Sequence, residues 1–569
     1  MAREIIEKNI DGSVVADLVA TGLEPLQARL LALRGVTAAT LDGYLRPSLD
    51  SLLSPVDLPG VREASAEILA AVRDGRSIVV FGDYDCDGVC ATAIMVSALR
   101  ALGADVKPFV PDRLAEGYGM NATSVERMLA ENPGAGLVIT VDNGINSVEQ
   151  VAALKEKGVD VVVTDHHLPG ETLPGCTVVN PKVSAPAELD GLCGAGVAFL
   201  LSMAVVTSAV DSGFYSGPKI GGPLMVLAGL ATVTDIMPLT GQNRILVAEA
   251  LRRFRTLAPI GLRELLDRAS RSAAPLTSRD FGFLIGPRIN AAGRIAKGIE
   301  ALDLVLATDR ETARELARRV DLHNQERKSV EQKMSDAAVA QIVSGAPAQV
   351  ISVPDGHQGV AGIVASRILE RLASKGCAVP VCVVVGCHGS ARAPEGYNVR
   401  DAFVECAEVL TSYGGHAAAG GFSLVREGEL ERFRELFCAA CAGQAAAVGA
   451  SGASRGIAVD AVIEGGAVTL QLAEWLKNLE PFGEGNPAPL FAMKSVCIAD
   501  ARPLGQDGRH LQLTFRGADM PRAVWWNRGD LVEEMRLASG IPFDVTFTVE
   551  ASNYGEPHAE AWLSSIDPA

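Results

Sequence analysis

Residues 77–89, SIVVFGDYDCDGV, constrain this chain more than any other stretch. They read as an apolar strand over 77–81 that stops at three carboxylates, Asp83, Asp85 and Asp87. Gly88 and a helical pattern over 89–102 follow. Strand, turn and helix open an α/β unit, in which ligands gather at the carboxyl ends of the strands. Three ionised carboxylates in so short a span repel one another, so the cluster either holds raised pKa values or is neutralised by cations. Taken alone, an ordinary Asp-rich turn would look the same. The pattern recurs, however. Apolar strands are predicted over 106–110, 137–141 and 159–164, with helices over 123–131 and 147–157 between them. The strand over 137–141 runs into Asp142, Asn143 and Gly144, and the one over 159–164 into Asp165, His166 and His167. Strands alternating with helices of this length form a parallel sheet, so three strand ends would deliver acids and imidazoles to one edge.

Asp235 is a further candidate, although a helix-end Asp facing solvent would look the same from this segment alone. It closes the apolar run LMVLAGLATVTDIMPL, and a charge ending a buried run needs a partner. Carboxylates mixed with imidazole suit Mg²⁺ or Mn²⁺ better than a zinc–thiolate site. There are more such groups than one ion needs, which points to two divalent metal ions, about 3.5–4 Å apart, as in phosphoryl-ester hydrolysis. A metal-free acid–base pair of Asp165 and His166 would leave the Asp83, Asp85 and Asp87 cluster unexplained.

The chain of 569 residues is long enough for three or more domains, and its 48% apolar content permits large cores. A net charge of −17 argues against general adhesion to polyanions but leaves room for a local basic groove. The eleven cysteines are scattered and odd in number, which fits reduced, buried thiols. Cys438 and Cys441 form a single CxxC with no matching pair, so zinc is not expected. The N-terminus shows no leader pattern, and no uninterrupted apolar window reaches about 18 residues. The expectation is a cytoplasmic protein with no membrane association.

The predicted fold class is α/β: two α/β domains joined by a long helix, with a β-barrel after them. A helical lead segment over 1–60 is expected to pack on the next domain, a catalytic unit over 61–307. Residues 308–343 lack Pro and Gly and read as one connecting helix of about 50 Å carrying Arg327. A second α/β domain is expected over 344–444, with strands over 349–353 and 379–385 around a helix over 359–374. Ser390 and Arg392 would stand at a strand end, and His416 in a Gly-rich loop over 414–421. A linker over 445–455 leads to short alternating strands over 456–569. They suit a small barrel with Phe515, Trp525 and Trp526 as stacking candidates. Arg113, in the loop with Tyr118 after the second strand, has the fork geometry to grip a phosphate, although a surface salt bridge with Glu116 would look alike. Arg288, Asn290 and Arg294, in GPRINAAGR, combine small residues with guanidinium charge in the same way.

GDYDCDG, DNG and TDHH, in this order, resemble the DHH phosphoesterases. GPRINAAGR, GGHAAAGGF and LEPFGEGNPAPLF extend the resemblance over nearly the whole chain to the RecJ family of single-strand-specific exonucleases. The resemblance implies a DHH domain, a DHHA1 domain and a C-terminal OB-fold. It maps Asp85, Asp87, Asp142, His166 and Asp235 onto metal-binding positions, with Asp83 and His167 lining the site. It gives Arg113, Ser390 and Arg392 to the terminal phosphate and His416 to the scissile one. Some relatives carry a His where Phe81 stands, and a hydroxyl residue where Ala393 stands. The implied activity is 5′-to-3′ hydrolysis of single-stranded DNA to 5′-mononucleotides in repair and recombination. The implied protein is a monomer served by a helicase and a single-strand-binding protein. The alternatives are a phosphoesterase of short oligonucleotides or phosphoanhydrides and a non-catalytic DNA-binding scaffold. The intact acidic positions speak against the latter.

Overall fold

The computed structural model describes residues 3–113, 115–117, 119–269, 275–450, 456–505, 507–516, 520, 522–552 and 556–569, with only the helical backbone at 446–450. Its organising layer is a five-stranded sheet. The spatial order is Val106–Phe109, Ser77–Phe81, Ala135–Val141, Asp160–Thr164 and Thr177–Val179, with every neighbouring pair parallel. Strands Ser77–Phe81, Ala135–Val141 and Asp160–Thr164 are rich in Val, Ile and Leu because helices cover both faces, whereas the edge strand Val106–Phe109 carries an exposed Lys107. Ile78, Val80, Leu137 and Ile139 face one core, with the helices Val61–Arg73, Cys86–Ala101 and Gly194–Asp211. Val79, Phe81, Val138 and Val163 face another, with Met128 and Leu154. Helix Gly194–Asp211 is apolar and long enough to cross a membrane, yet it lies inside this domain with Val197, Leu201 and Val205 fully buried.

Helix Arg310–Val339, about 45 Å long at 1.5 Å per residue, joins this unit to the second α/β domain. There the sheet runs Leu410–Gly415, Ala419–Leu424, His388–Arg392, Val381–Val385, Gln349–Ser352, and only the last pair is parallel. Two details differ from the expectation. Ser390 and Arg392 lie within a strand, and the Gly-rich segment is a β-hairpin paired to that strand, with Gly421 opposite Ser390. The glycines hide the alternation that marks a strand, and close packing requires them. A Cβ on Gly389 would lie 2.2 Å from the ring of Phe422, and one on Gly420 2.7 Å from that of Phe403.

Near the C-terminus, Phe491–Leu504, His510–Arg516, Ala523–Trp525, His558–Pro568 and Pro542–Ser552 close into a five-stranded barrel through a final pairing of Pro542–Ser552 with Phe491–Leu504. The lead segment packs chiefly on this barrel and not on its neighbour in sequence: Leu18, Leu30 and Leu31 share a core with Phe491, Leu511 and Phe547. LEPFGEGNPAPLF is the clasp between barrel and catalytic domain. Buried Arg244 donates to the carbonyls of Leu479, Asn478 and Tyr44 and stacks on the Tyr44 ring at 3.9 Å. Asn486 accepts from Arg34 and from the Tyr44 hydroxyl. Phe515 is a barrel core residue, whereas Trp526 is exposed, edge-on to Trp562 at 5.5 Å.

Candidate metal centre and phosphate pocket

The carboxyl edge of the first sheet gathers the acidic residues. Ligand atoms of Asp83, Asp85 and Asp142 lie within 4.8 Å of one another, as do those of Asp87, His166 and Asp235. A third set, Asp142, His166 and His167, straddles the two. His166 Nε2 is the hub, 3.1 Å from Asp142 Oδ1, 3.6 Å from Asp235 Oδ2 and 3.8 Å from Asp87 Oδ2. Asp235 reaches this edge as the residue that ends helix Gly221–Thr234.

The backbone holds these groups tightly. Asp85 caps helix Cys86–Ala101 through Gly88 N–H at 3.0 Å, and the Cys86 N–H donates to Asn290 Oδ1 at 2.7 Å. Asp87 accepts from the Gly194 and Ala195 N–H groups at 2.7 and 2.8 Å, at the start of helix Gly194–Asp211. A helix N-terminus favours an anion there. Asp142 adopts φ 63°, in the left-handed region that asparagine and aspartate tolerate better than other side chains. Asp165 orients the edge without joining the cluster. It accepts from the Ile145 and His166 N–H groups at 3.0 and 2.7 Å and pairs with His167 Nδ1 at 2.7 Å. Sequence reasoning missed Gly194, whose only signal is the GLCGAG opening of an apolar helix over 191–196.

Electrostatically the edge is unbalanced. Burial and then the charge of neighbouring aspartates push Asp83 and Asp142 well above the carboxylate range. Burial, then Asp87 and Asp85, push Asp235 up to about 8. Burial also holds His166 low, in its neutral, ligating form. His167 goes the other way: burial opposes its charge, but the hydrogen bond that its Nδ1–H donates to the Asp165 carboxylate takes it up to about 9. Oδ1 of Asp83 is buried and accepts no hydrogen bond among the described residues. Hard oxygen donors with an uncompensated buried carboxylate fit divalent cations. Phe81 belongs to the core on the far face, its ring 4.9 Å from that of Phe109.

Facing the acids is a cationic pocket. Arg113 lies over the Tyr84 ring at 5.1 Å and, with Ser390, Gly359 and Gly421, lines a cavity of about 590 Å³ between the two α/β domains. Glu116 pairs with Arg127 and not with Arg113. Burial and the charge of Arg113 bring Arg294 down to about 10 and also lower Arg392. Arg113 thus neighbours both Arg294 and Arg392, and the three guanidiniums together favour an anion. Helix Gln358–Ala373 approaches closely because it carries glycines: a Cβ on Gly359 would meet the Arg294 carbonyl oxygen at 2.3 Å, and one on Gly362 the Arg392 guanidinium at 2.8 Å. His416 lies across from His167, and both line a second cavity with Asp165 and Gly144. Arg288, Asn290 and Arg327 are engaged inside the protein. Arg288 pairs with Asp321 at 2.9 Å, Asn290 with Cys86, and Arg327 with Glu331 at 2.7 Å and with Asn324. Tyr118 lies outside the described residues.

Acids and imidazoles on the rim of a parallel sheet, faced across a cleft by a second α/β domain, define a phosphoesterase of the DHH class. The DHH family, N-terminal domain, matches residues 77–216, the DHHA1 domain 345–443 and the RecJ OB domain 459–558. The chain belongs to the RecJ family. It is 37% identical over 525 residues to the single-stranded-DNA-specific exonuclease RecJ of Thermus thermophilus, covering 90% of this chain and 74% of that one. Against the protein of the same name from Escherichia coli it is 35% identical over 516 residues, covering 86% and 87%. The fold matches the crystal structure of RecJ in complex with Mn²⁺ from Thermus thermophilus with a TM-score of 0.82 at 33% identity, over 100% of this chain and 79% of that one. A second exonuclease RecJ structure, bound to manganese, matches with a TM-score of 0.61 at 38% identity, over 69% of this chain and 96% of that one.

Proposed function

We propose that the protein is a metal-dependent exonuclease that degrades single-stranded DNA from its 5′ end, releasing 5′-mononucleotides. The observation that carries this is the apposition of two unbalanced sites, a buried acidic rim that wants cations and a cluster of three guanidiniums that wants an anion. Asp85, Asp87, Asp142, His166 and Asp235 would hold two Mn²⁺ or Mg²⁺ ions, with Asp83 and His167 lining the site. When bound, the ions supply Lewis acidity to the phosphodiester and activate water.

The rest is the work of the chain itself. Arg113, Ser390 and Arg392 grip the terminal phosphate, so that the next phosphodiester falls on the acidic rim, and Arg294 adds its charge to that grip. His416, on the opposite domain, faces the scissile group together with His167. Asp165 keeps His167 charged and oriented. Asn290 fixes the turn that carries Asp85 and Asp87, while Arg288 and Arg327 brace the connecting helix. Trp526 and Trp562 on the barrel offer faces on which bases stack. The protein works as a cytoplasmic monomer in repair and recombination, on strands exposed by a helicase and covered by a single-strand-binding protein.

The test is purified protein with 5′-labelled single-stranded DNA, duplex DNA or pyrophosphate, each with Mn²⁺, Mg²⁺ or EDTA. Mononucleotide release from the single strand alone, abolished by EDTA, is the expected result. Hydrolysis of pyrophosphate with no nuclease activity would overturn the reading.

A further inference from the structure

Arg113 projects from the segment after strand Val106–Phe109, where residues 111–113 and 115–117 form neither helix nor strand. A long side chain on an irregular loop delivers charge to a fixed point only if the loop is held in place beforehand. Glu116, three residues on, provides that hold. Its side chain is 5% exposed. Oε1 accepts from Arg127 Nε at 2.6 Å, and Oε2 accepts from Arg127 Nη2 at 2.9 Å and from the Asp112 N–H at 2.6 Å. The Glu116 N–H donates to the Asp112 carbonyl at 2.7 Å, and Asn121 Nδ2 donates to the Glu116 carbonyl at 2.8 Å.

Arg127 is itself fixed. It stands on helix Ala122–Glu131, donates to the Val110 carbonyl at 2.9 Å and to Glu131 at 2.9 Å, and stacks on the Phe109 ring at 4.2 Å. One guanidinium therefore ties together the end of strand Val106–Phe109, the following loop and the next helix. A two-point carboxylate–guanidinium pair fixes direction as well as distance. Because Glu116 is committed to Arg127, it does not neutralise Arg113.

We infer that Arg127 is a positioning residue for the exonuclease reaction. Through its two-point pair with Glu116 it fixes the loop that presents Arg113 to the terminal phosphate. The inference rests on the role given to Arg113 above.

The experiment compares 5′-phosphorylated with 5′-hydroxyl single-stranded oligonucleotides for the wild type, Arg113→Ala, Arg127→Met, Arg127→Lys and the double variant R113A/R127M. Arg113→Ala is expected to raise KM for the phosphorylated strand roughly tenfold and to narrow the preference over the hydroxyl strand. Arg127→Met should do the same with little change in kcat. The double variant should be no worse than Arg113→Ala, and Arg127→Lys, which lacks the fork, should recover only part of the preference. An unchanged Mn²⁺-induced thermal shift in Arg127→Met would show that fold and acidic rim are intact. If Arg113→Ala leaves the preference untouched, the phosphate reading itself fails. If Arg113→Ala narrows the preference while Arg127→Met keeps it, or the two losses add, the phosphate reading stands and the positioning inference is overturned. Should Arg127→Met fail to fold, Glu116→Gln carries the same comparison.

Discussion

A Cβ placed on Gly194 would lie 2.5 Å from the Cβ of Asp142 and 2.6 Å from its Oδ1. The first residue of a buried helix and an acid that lies 3.1 Å from the His166 hub are therefore in direct contact, and the same helix start holds Asp87. Gly194→Ala is predicted to displace Asp142 and lower exonuclease turnover on the order of a hundredfold, the scale of a misplacement near 1 Å. Its Mn²⁺ affinity, read by calorimetry, should fall as well. Wild-type turnover and affinity in this variant would show that the contact has no functional consequence.

Asp235 yields a pH prediction for metal-free protein. Its folded pKa of about 8 lies above the ordinary value of 3.8, so the folded state binds the proton more tightly than the unfolded state. Stability contributed by that proton is present at low pH and lost as pH rises towards and through 8. Asp235→Asn removes this dependence. The melting temperatures of the two proteins should converge near pH 4 and diverge in favour of the variant as pH approaches about 9. Divalent ions should close that gap by stabilising the wild type alone. Parallel curves in EDTA would refute the assignment.

Phe81 is predicted not to become a ligand when replaced by histidine. Its ring lies against Phe109 on the far face of the sheet. Phe81→His should destabilise the protein by about 3 kcal/mol, the usual scale for damaging a packed aromatic site. Mn²⁺ affinity should not rise. A gain in affinity would mean that the strand end can turn its side chain towards the rim.

Arg244 supplies a test of the clasp. Arg244→Met leaves the carbonyls of Leu479, Asn478 and Tyr44 without their donor, a loss on the order of 3 kcal/mol. Limited proteolysis should then release the barrel earlier than in the wild type. Degradation of long strands should suffer more than that of very short oligonucleotides, which need no barrel. Equal losses on both would indicate that the clasp supports the catalytic domain itself.

Much of this architecture is legible locally. Strands Ser77–Phe81, Ala135–Val141 and Asp160–Thr164 announce themselves as Val/Ile/Leu-rich runs followed closely by Asp, because burial on both faces leaves little polar alternation. Thr177–Val179 has only three residues and gave no such signal. The hairpin around His416 reads as a loop because Gly414, Gly415, Gly420 and Gly421 carry no side-chain pattern, and the ring that demands glycine at Gly420, Phe403, lies outside the hairpin. The acidic motifs are visible as words in the sequence. The parts that hold them are not. The fit of Gly194 to Asp142, the acceptance of the Cys86 N–H by Asn290 and the pairing of Glu116 with Arg127 are tertiary relations between ordinary-looking residues.

The connecting helix Arg310–Val339 is fastened on the side of the second domain. Buried Glu331 takes both Arg327 of the same helix and Arg367 of helix Gln358–Ala373, and Arg294 bonds the Gly359 carbonyl that begins the latter. The two jaws of the cleft are thereby bolted to a common beam, and the opening between them has a set gauge. A lesion at Arg367, which joins the second domain to that helix, would travel along the beam to the acid cluster. Sensitivity to mutation in this protein is spread along its frame and extends well beyond the residues that meet the substrate.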